Sequence, residues 1–166
     1  MERGLKAAQL FVDGYNCAQA VAVAFCDVTG LDEKMTCRLM SSFGGGMGRM
    51  REVCGAVSGM LMVAGLLYGY DVIGDDAVKK AHYALVQELA GQFRQEVGSI
   101  VCREILKNPS TDPNPSPRTE EYYRVRPCAR MVLTATNILE AYIAEHPPEG
   151  VNWDLSSCLH RTQASL

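Results

Sequence analysis

Between Val53 and Tyr70 the chain runs for 18 residues without a charge. That length is the lower edge of what a helix needs to cross a bilayer. Cys54, Ser58 and glycines at 55, 59, 65 and 69 interrupt it, and no second span accompanies it. The stretch therefore predicts a buried central helix with other helices packed around it, and no membrane span. Gly55-x-x-x-Gly59 and Gly65-x-x-x-Gly69 set small residues on one face, where a second helix can approach closely. The same face is available to a homodimer.

The rest of the sequence supplies the surrounding helices. Residues 2–13 place Leu5, Ala8 and Val12 on one helical face, and Gly14 stops that helix. Asn16 is a good N-cap for the apolar helix CAQAVAVAFCDV, which Gly30 ends. Asp32 caps EKMTCRLMSSF, and that segment runs into the glycine loop FGGGMGRM. A long helix over 75–97 carries Ala77, Ala81, Leu85, Leu89 and Phe93 at helical spacing, and Gly98 closes it. Ser99 caps the short IVCREILK. The segment PSTDPNPSPR is too rich in proline to be helical. Pro127 then suits the first turn of CARMVLTATNILEAYIAEH, which His146-Pro147-Pro148 terminates. There is no strand alternation, fixed-period repeat or interdomain linker. The expected fold is all-α: a single compact bundle of six to seven helices over residues 1–146, followed by a C-terminal tail, 147–166.

Seven cysteines are spaced by 9, 11, 17, 48, 26 and 30 residues, with no C-x-x-C among them. That excludes the local spacings of zinc ribbons, ferredoxins, thioredoxin-like sites and c-type haem attachment. The chain begins without a basic segment leading into an apolar run, so a cytoplasmic location is expected. Thiols there are kept reduced, which argues against a disulfide scaffold. The net charge of -3 gives no basis for a nucleic-acid partner.

Four cysteines fall at expected helix starts: Cys17 after Asn16, Cys54 after the glycine loop, Cys102 after Ser99 and Cys128 after Pro127. A helix start offers unpaired N–H groups and partial positive charge, which favour the thiolate. If those starts share one end of the bundle, four sulfurs meet, enough to ligate an iron–sulfur cluster or a zinc ion. Two of them suffice for thiol–disulfide exchange. Cys26 and Cys37 lie inside helices and Cys158 in the tail, where packing or incidental roles are expected.

The segment CGAVSG at 54–59 matches a C-G-A-x-x-G signature. With GYNCAQAV around Cys17 upstream and Cys102 and Cys128 downstream, the chain resembles the C_GCAxxG_C_C family of redox-active proteins over about residues 4–140. The resemblance implies four characteristic cysteines and redox activity without a settled reaction. A similar domain accompanies an iron–sulfur centre in split-Soret cytochromes, which extends the resemblance to a cluster. Their C-x-x-C-H haem attachment is missing here, so covalent haem does not carry over.

Gly44, Gly45, Gly46, Gly48 and Arg49 lead directly to Cys54 and Gly55. Glycines let the backbone approach a ligand closely, and successive N–H groups form an anion nest to which Arg49 or Arg51 adds charge. Neither a Walker A ending nor a dinucleotide fingerprint is present. The loop is thus expected to wrap the cysteine site as its cofactor-binding element. No hydrolase pattern of Ser/His/Asp or His-Glu-x-x-His type occurs. The leading expectation is a small helical redox protein using Cys17, Cys54, Cys102 and Cys128. The four act as cluster ligands for electron transfer to a redox partner protein of unknown identity, with Cys54 the most perturbed. The alternatives are a metal-free thiol–disulfide protein, a zinc-stabilised binding module and an inert helical domain.

Overall fold

The computed structural model describes residues 2–107 and 109–148. Among these the fold is all-α. Six helices of seven residues or more form the bundle: α1 (Glu2–Val12), α2 (Cys17–Val23), α3 (Glu33–Met40), α4 (Gly55–Tyr68), α5 (Asp76–Val97) and α6 (Cys128–Glu145). Short helical turns cover Cys26–Thr29, Ser41–Phe43, Gly44–Met47, Cys102–Ile105 and Glu120–Val125. No helix among the described residues is long and apolar enough to cross a membrane. Of the expected tail, only Pro147 and Pro148 lie among the described residues.

The central helix is where the uncharged run placed it. Ala56, Val57, Met60, Val63 and Ala64 of α4 are buried. The close approach expected at Gly59 is realised against α2. A Cβ there would lie 2.6 Å from the Ala18 carbonyl oxygen, so α4 and α2 touch almost backbone to backbone. The second glycine pair does not pack in this way: a Cβ on Gly65 would meet nothing within 4 Å. Helix α6 closes the core with Val132, Ala135 and Leu139.

Several helix boundaries and faces differ from expectation. The predicted helix after Asn16 breaks at Ala24–Phe25 into α2 and the Cys26–Thr29 turn, which Gly30 ends with φ 72°. In α1 the buried face is Gly4, Ala7 and Phe11. Leu5 and Val12 are exposed, because the helix turns its smallest residues toward α6, where Gly4 abuts Asn137. Helix α5 buries Leu85, Leu89 and Phe93 but leaves Ala77 and Ala81 exposed. Its first turns run past the end of the core.

Candidate functional site

One end of the bundle is built by connections rather than by helices. After the Ser41–Phe43 turn the chain enters a run of left-handed backbone: Gly45 (φ 64°), Gly46 (φ 72°), Met47 (φ 61°), Gly48 (φ 60°), Arg49 (φ 69°) and Arg51 (φ 65°). Each non-glycine residue in that region costs on the order of 1 kcal/mol. The strain is held by pairing with a distant segment. Cys54 N–H donates to the Ile100 carbonyl (2.8 Å), Cys102 N–H to Glu52 (2.6 Å) and Arg103 N–H to Arg51 (3.0 Å). A single antiparallel bridge, Val53 with Val101, results. The Arg103 guanidinium grips the Glu52 carboxylate with two bonds of 2.7 Å. This bridge sets Cys54 and Cys102 side by side, although 48 residues separate them.

Cys17 and Cys128 arrive on helix starts. The Asn16 side chain accepts from the amides of Ala18 and Gln19, both at 2.9 Å, and Gln19 returns a bond to the Asn16 amide. That capping box fixes the first turn of α2. Cys128 opens α6 directly behind Pro127. All four cysteines line one cavity of about 320 Å³. Gly44, Gly45, Gly46, Gly48, Arg49 and Gly55, expected to wrap the site, line it too. Two of the glycines are contact points. A Cβ on Gly46 would lie 2.6 Å from the Cys102 Cβ, and one on Gly55 would lie 3.0 Å from that of Cys17.

Cys26 and Cys37 stand apart from this cavity. The Cys26 thiol lies 3.4 Å from the Thr36 hydroxyl. Cys158 falls outside the described residues.

Burial, not the helix start, sets most of the thiol acidities. Cys54 is pushed up to about 12 by burial, even though the amides of Ala56 and Val57 hydrogen-bond its sulfur. Cys102 is also raised by burial, against the neighbouring charge of Arg51. Cys17 is raised well above the usual thiol range because it hydrogen-bonds Cys128 and is buried. Cys128 alone is lowered, to about 7, by the bond from Cys17 together with Arg126, Arg51 and Arg118. The expectation that helix starts generally favour the thiolate is therefore corrected. In this cavity desolvation outweighs the amide dipoles except at Cys128.

Sequence reasoning reached half of the cationic wall, Arg49 and Arg51, and missed Arg118 and Arg126. Arg51 is 2% exposed. Its Nε donates to the Ser110 carbonyl (2.8 Å) and its Nη1 to that of Gly45 (3.5 Å), while Nη2 is buried without a partner. Arg118 bonds the carbonyls of Phe11 (2.8 Å) and Tyr15 (3.1 Å), and its guanidinium lies 4.7 Å from the Phe11 ring centre. Arg126 stacks over Tyr122 at 4.8 Å. The proline-rich loop roofs the cavity with Pro113, Pro115 and Ser116. A signal was present in the sequence: arginines at 118 and 126 flank the loop and Cys128. They read as ordinary surface charge because nothing local ties them to the cysteines.

A family model described as "Putative redox-active protein (C_GCAxxG_C_C)" matches residues 15–142. The chain belongs to this family. The C_GCAxxG_C_C match spans the four cavity cysteines and the glycine turn between them. No curated protein and no solved structure gives a match.

The donor set bears on what the cavity can hold. Four thiols and an unpartnered guanidinium nitrogen face one space, which suits an electron-rich sulfur-ligated group. Among the described residues, no three His, Cys, Asp or Glu side chains are gathered to hold a single metal ion. Cys17 and Cys128 hydrogen-bond one another, and Cys54 and Cys102 share the cavity with them.

Proposed function

We propose that this C_GCAxxG_C_C protein is a redox protein in which Cys17, Cys54, Cys102 and Cys128 together hold an iron–sulfur cluster and exchange electrons with a partner protein. The observation that carries this reading is the meeting of four cysteines, from four distant parts of the chain, around one cavity. A disulfide pair would leave two of them without a role. A lone zinc ion needs its donors drawn to a point, and among the described residues no three such side chains are gathered that way. Such a cluster supplies one-electron transfer at a potential set by charge, hydrogen bonds and solvent access.

The chain's own groups do the tuning. Arg51 sets its positive charge beside the Cys102 sulfur, and the amides of Ala56 and Val57 hydrogen-bond that of Cys54. Both stabilise negative charge on ligand sulfur, which raises the potential. Pro113 and Pro115 line the same cavity as the sulfurs. Protein reconstituted under anaerobic conditions should contain iron and labile sulfide. Serine at any of the four positions should remove most of both, while Cys26→Ser and Cys37→Ser leave them in place. Colourless protein lacking iron and sulfide after reconstitution overturns the reading.

A second reading has its own observation. Cys128 and Cys17 share a hydrogen bond, with Cys128 acidified to about 7 and Cys17 kept protonated. That division suits a metal-free dithiol. The Cys128 thiolate attacks a substrate disulfide and expels one thiol. Cys17 then gives up its proton and attacks the Cys128 sulfur, which releases the second thiol and leaves a Cys17–Cys128 disulfide. Thiol counts that do not change between oxidised and reduced metal-free protein exclude it.

A further inference from the structure

The cavity carries more positive charge than its sulfurs can balance. Arg49, Arg51, Arg118 and Arg126 all line it, and among the described residues no Asp, Glu, Lys or His does. The hydrogen-bond partners of these arginines are neutral. Arg51 bonds the Ser110 and Gly45 carbonyls and stands beside the Cys102 thiol, Arg118 bonds two backbone carbonyls and the Tyr123 hydroxyl (3.3 Å), and Arg49 bonds the Asp112 carbonyl. Arg49 and Arg126 both reach the Ser116 hydroxyl at 3.4 Å. Two guanidinium groups thus converge on one weakly held oxygen at the roof, and the unpartnered Nη2 of Arg51 lies buried in the same cavity wall.

The guanidinium groups are close enough to repel. Burial and the charges of Arg51 and Arg126 all pull the Arg49 pKa down, against the attraction of Asp112. That carboxylate is itself engaged by the Asn114 amide at 2.8 Å. With an oxidised cluster in place, four thiolates and the inorganic core together carry about two negative charges. Even with Asp112 counted, about one positive charge is left over in a site that burial makes expensive to leave unbalanced.

We propose that the arginine wall binds an oxyanion group of sulfate or phosphate type, with Arg49 and Arg126 gripping it at the roof and Arg51 Nη2 reaching it from the floor beside Cys102. As a substrate site this rests on the redox reading above, because it gives that centre a small anionic reactant. As an anion site it stands on the charge and hydrogen bonding of the cavity alone. Guanidinium forks suit such groups, since planar paired N–H donors match two oxygens at once.

Titration calorimetry on the full chain tests it, with sodium sulfate, inorganic phosphate and phenyl phosphate as probes and sodium chloride at matched ionic strength as control. The reduced metal-free protein and the anaerobically reconstituted protein are both titrated. Saturable binding at one ion per chain is expected, about tenfold weaker in Arg126→Gln and in Arg49→Gln. Arg130→Gln, an exposed charge outside the cavity, should bind as the parent does. Thermal melts confirm that each variant is folded, and the two roof variants are independent, so a misfolded one leaves the other to decide. Tighter binding of inorganic phosphate assigns the site to a free ion, and tighter binding of phenyl phosphate assigns it to the anionic end of a larger molecule. Heat no greater than that of chloride, or equal affinity in both roof variants and the parent, overturns the proposal. Iron and sulfide analysis is a separate readout. Anion binding without a cluster would remove the cluster reading and keep this one, and a cluster without anion binding would do the reverse.

Discussion

Two connections flank the central helix, and they have opposite fates. The one before it, residues 44–54, and the one after it, residues 69–75, both contain glycine and both mix apolar with charged residues. The first buries an arginine to 2% exposure, and the second leaves Ile73 99% exposed. Local composition does not separate them. What differs is where the backbone groups find partners. In the first, Glu52 N–H bonds Gly46, and Arg51, Glu52 and Cys54 pair with residues 100–103. Around the second, the ties are to near neighbours in sequence: Gly69 N–H bonds the Gly65 carbonyl (2.9 Å), Asp75 caps α5, and His82 meets the Tyr68 carbonyl at 3.2 Å and the Tyr70 ring edge-on at 5.9 Å. A connection with long-range partners can hold strained backbone and a functional cavity. One without them costs little to open.

Glycine substitution tests that contrast most directly. Gly46 has φ 72°, and a Cβ there would sit 2.6 Å from the Cys102 Cβ and 2.9 Å from the Arg51 Cα. Alanine must adopt an unfavourable φ and also push apart the bridge that aligns Cys54 with Cys102. The expected destabilisation of Gly46→Ala is about 3 kcal/mol, which lowers the melting temperature by roughly 6–12 °C. Gly91 lies inside α5, and a Cβ there meets nothing within 4 Å. Gly91→Ala should stabilise the protein by up to about 1 kcal/mol through helix propensity. A melt in which both variants behave alike would erase the distinction between a glycine demanded by contact and one merely tolerated.

The cysteines divide in the same way, and pH reads the division. The thiolate is the species that alkylates. For Cys128 in reduced, metal-free protein, the iodoacetamide rate should be small below pH 7 and rise to a plateau above it, since its pKa lies near 7. Cys26 and Cys37 are raised by burial, so their rates should still be climbing at pH 9. At pH 7 the contrast should be at least about tenfold once lower intrinsic nucleophilicity is allowed for. The sign is fixed. Cys128 ionises first because Cys17 donates to it and Arg126, Arg51 and Arg118 face it. Replacing Arg126 by glutamine should move the midpoint upward. Mass spectrometry of labelled peptides separates the sites, and a shared midpoint for all the cysteines would contradict the cavity electrostatics.

These contrasts also mark what was legible in the sequence. The helices were, because each carries its own signal: Asp32 and Asn16 cap as expected, Gly98 closes α5, and the uncharged run is the central helix. Four of the seven cysteines could be singled out because capping and punctuation residues precede them. Their meeting was inferable only as a condition, since nothing local states which helix starts share an end. The 51–54 and 100–103 pairing was invisible, being one bridge with no strand pattern. Arg118 and Arg126 were passed over because their role comes from a fold that brings residues 107 and 111 positions apart into contact. Acidity was misjudged for a different reason. A sequence shows the amide dipole at a helix start but not the depth to which the sulfur is buried.

Caps give the smallest test, and one that compares the two ends at equal chemistry. Asn16 and Asp75 each accept two backbone amides at the start of a helix. Asp75 is exposed and serves only the projecting first turn of α5. Asn16 also touches the glycine turn, since a Cβ on Gly44 would lie 2.7 Å from its Cβ, and its Nδ2 reaches the Met40 carbonyl at 3.3 Å. Losing the Asp75 cap should cost about 0.5–1 kcal/mol and leave the cavity untouched, because water replaces the lost bonds. Losing the Asn16 cap should cost about 1–2 kcal/mol, at the upper end for a cap, since the freed amides of Ala18 and Gln19 are partly buried. It should also shift the Cys128 alkylation midpoint upward, because the first turn of α2 positions the Cys17 thiol that donates to Cys128. Urea melts give the two energies, and the labelling profile gives the midpoint. Asp75→Ala moving that midpoint as far as Asn16→Ala would mean that the whole bundle, not the local cap, aligns the pair.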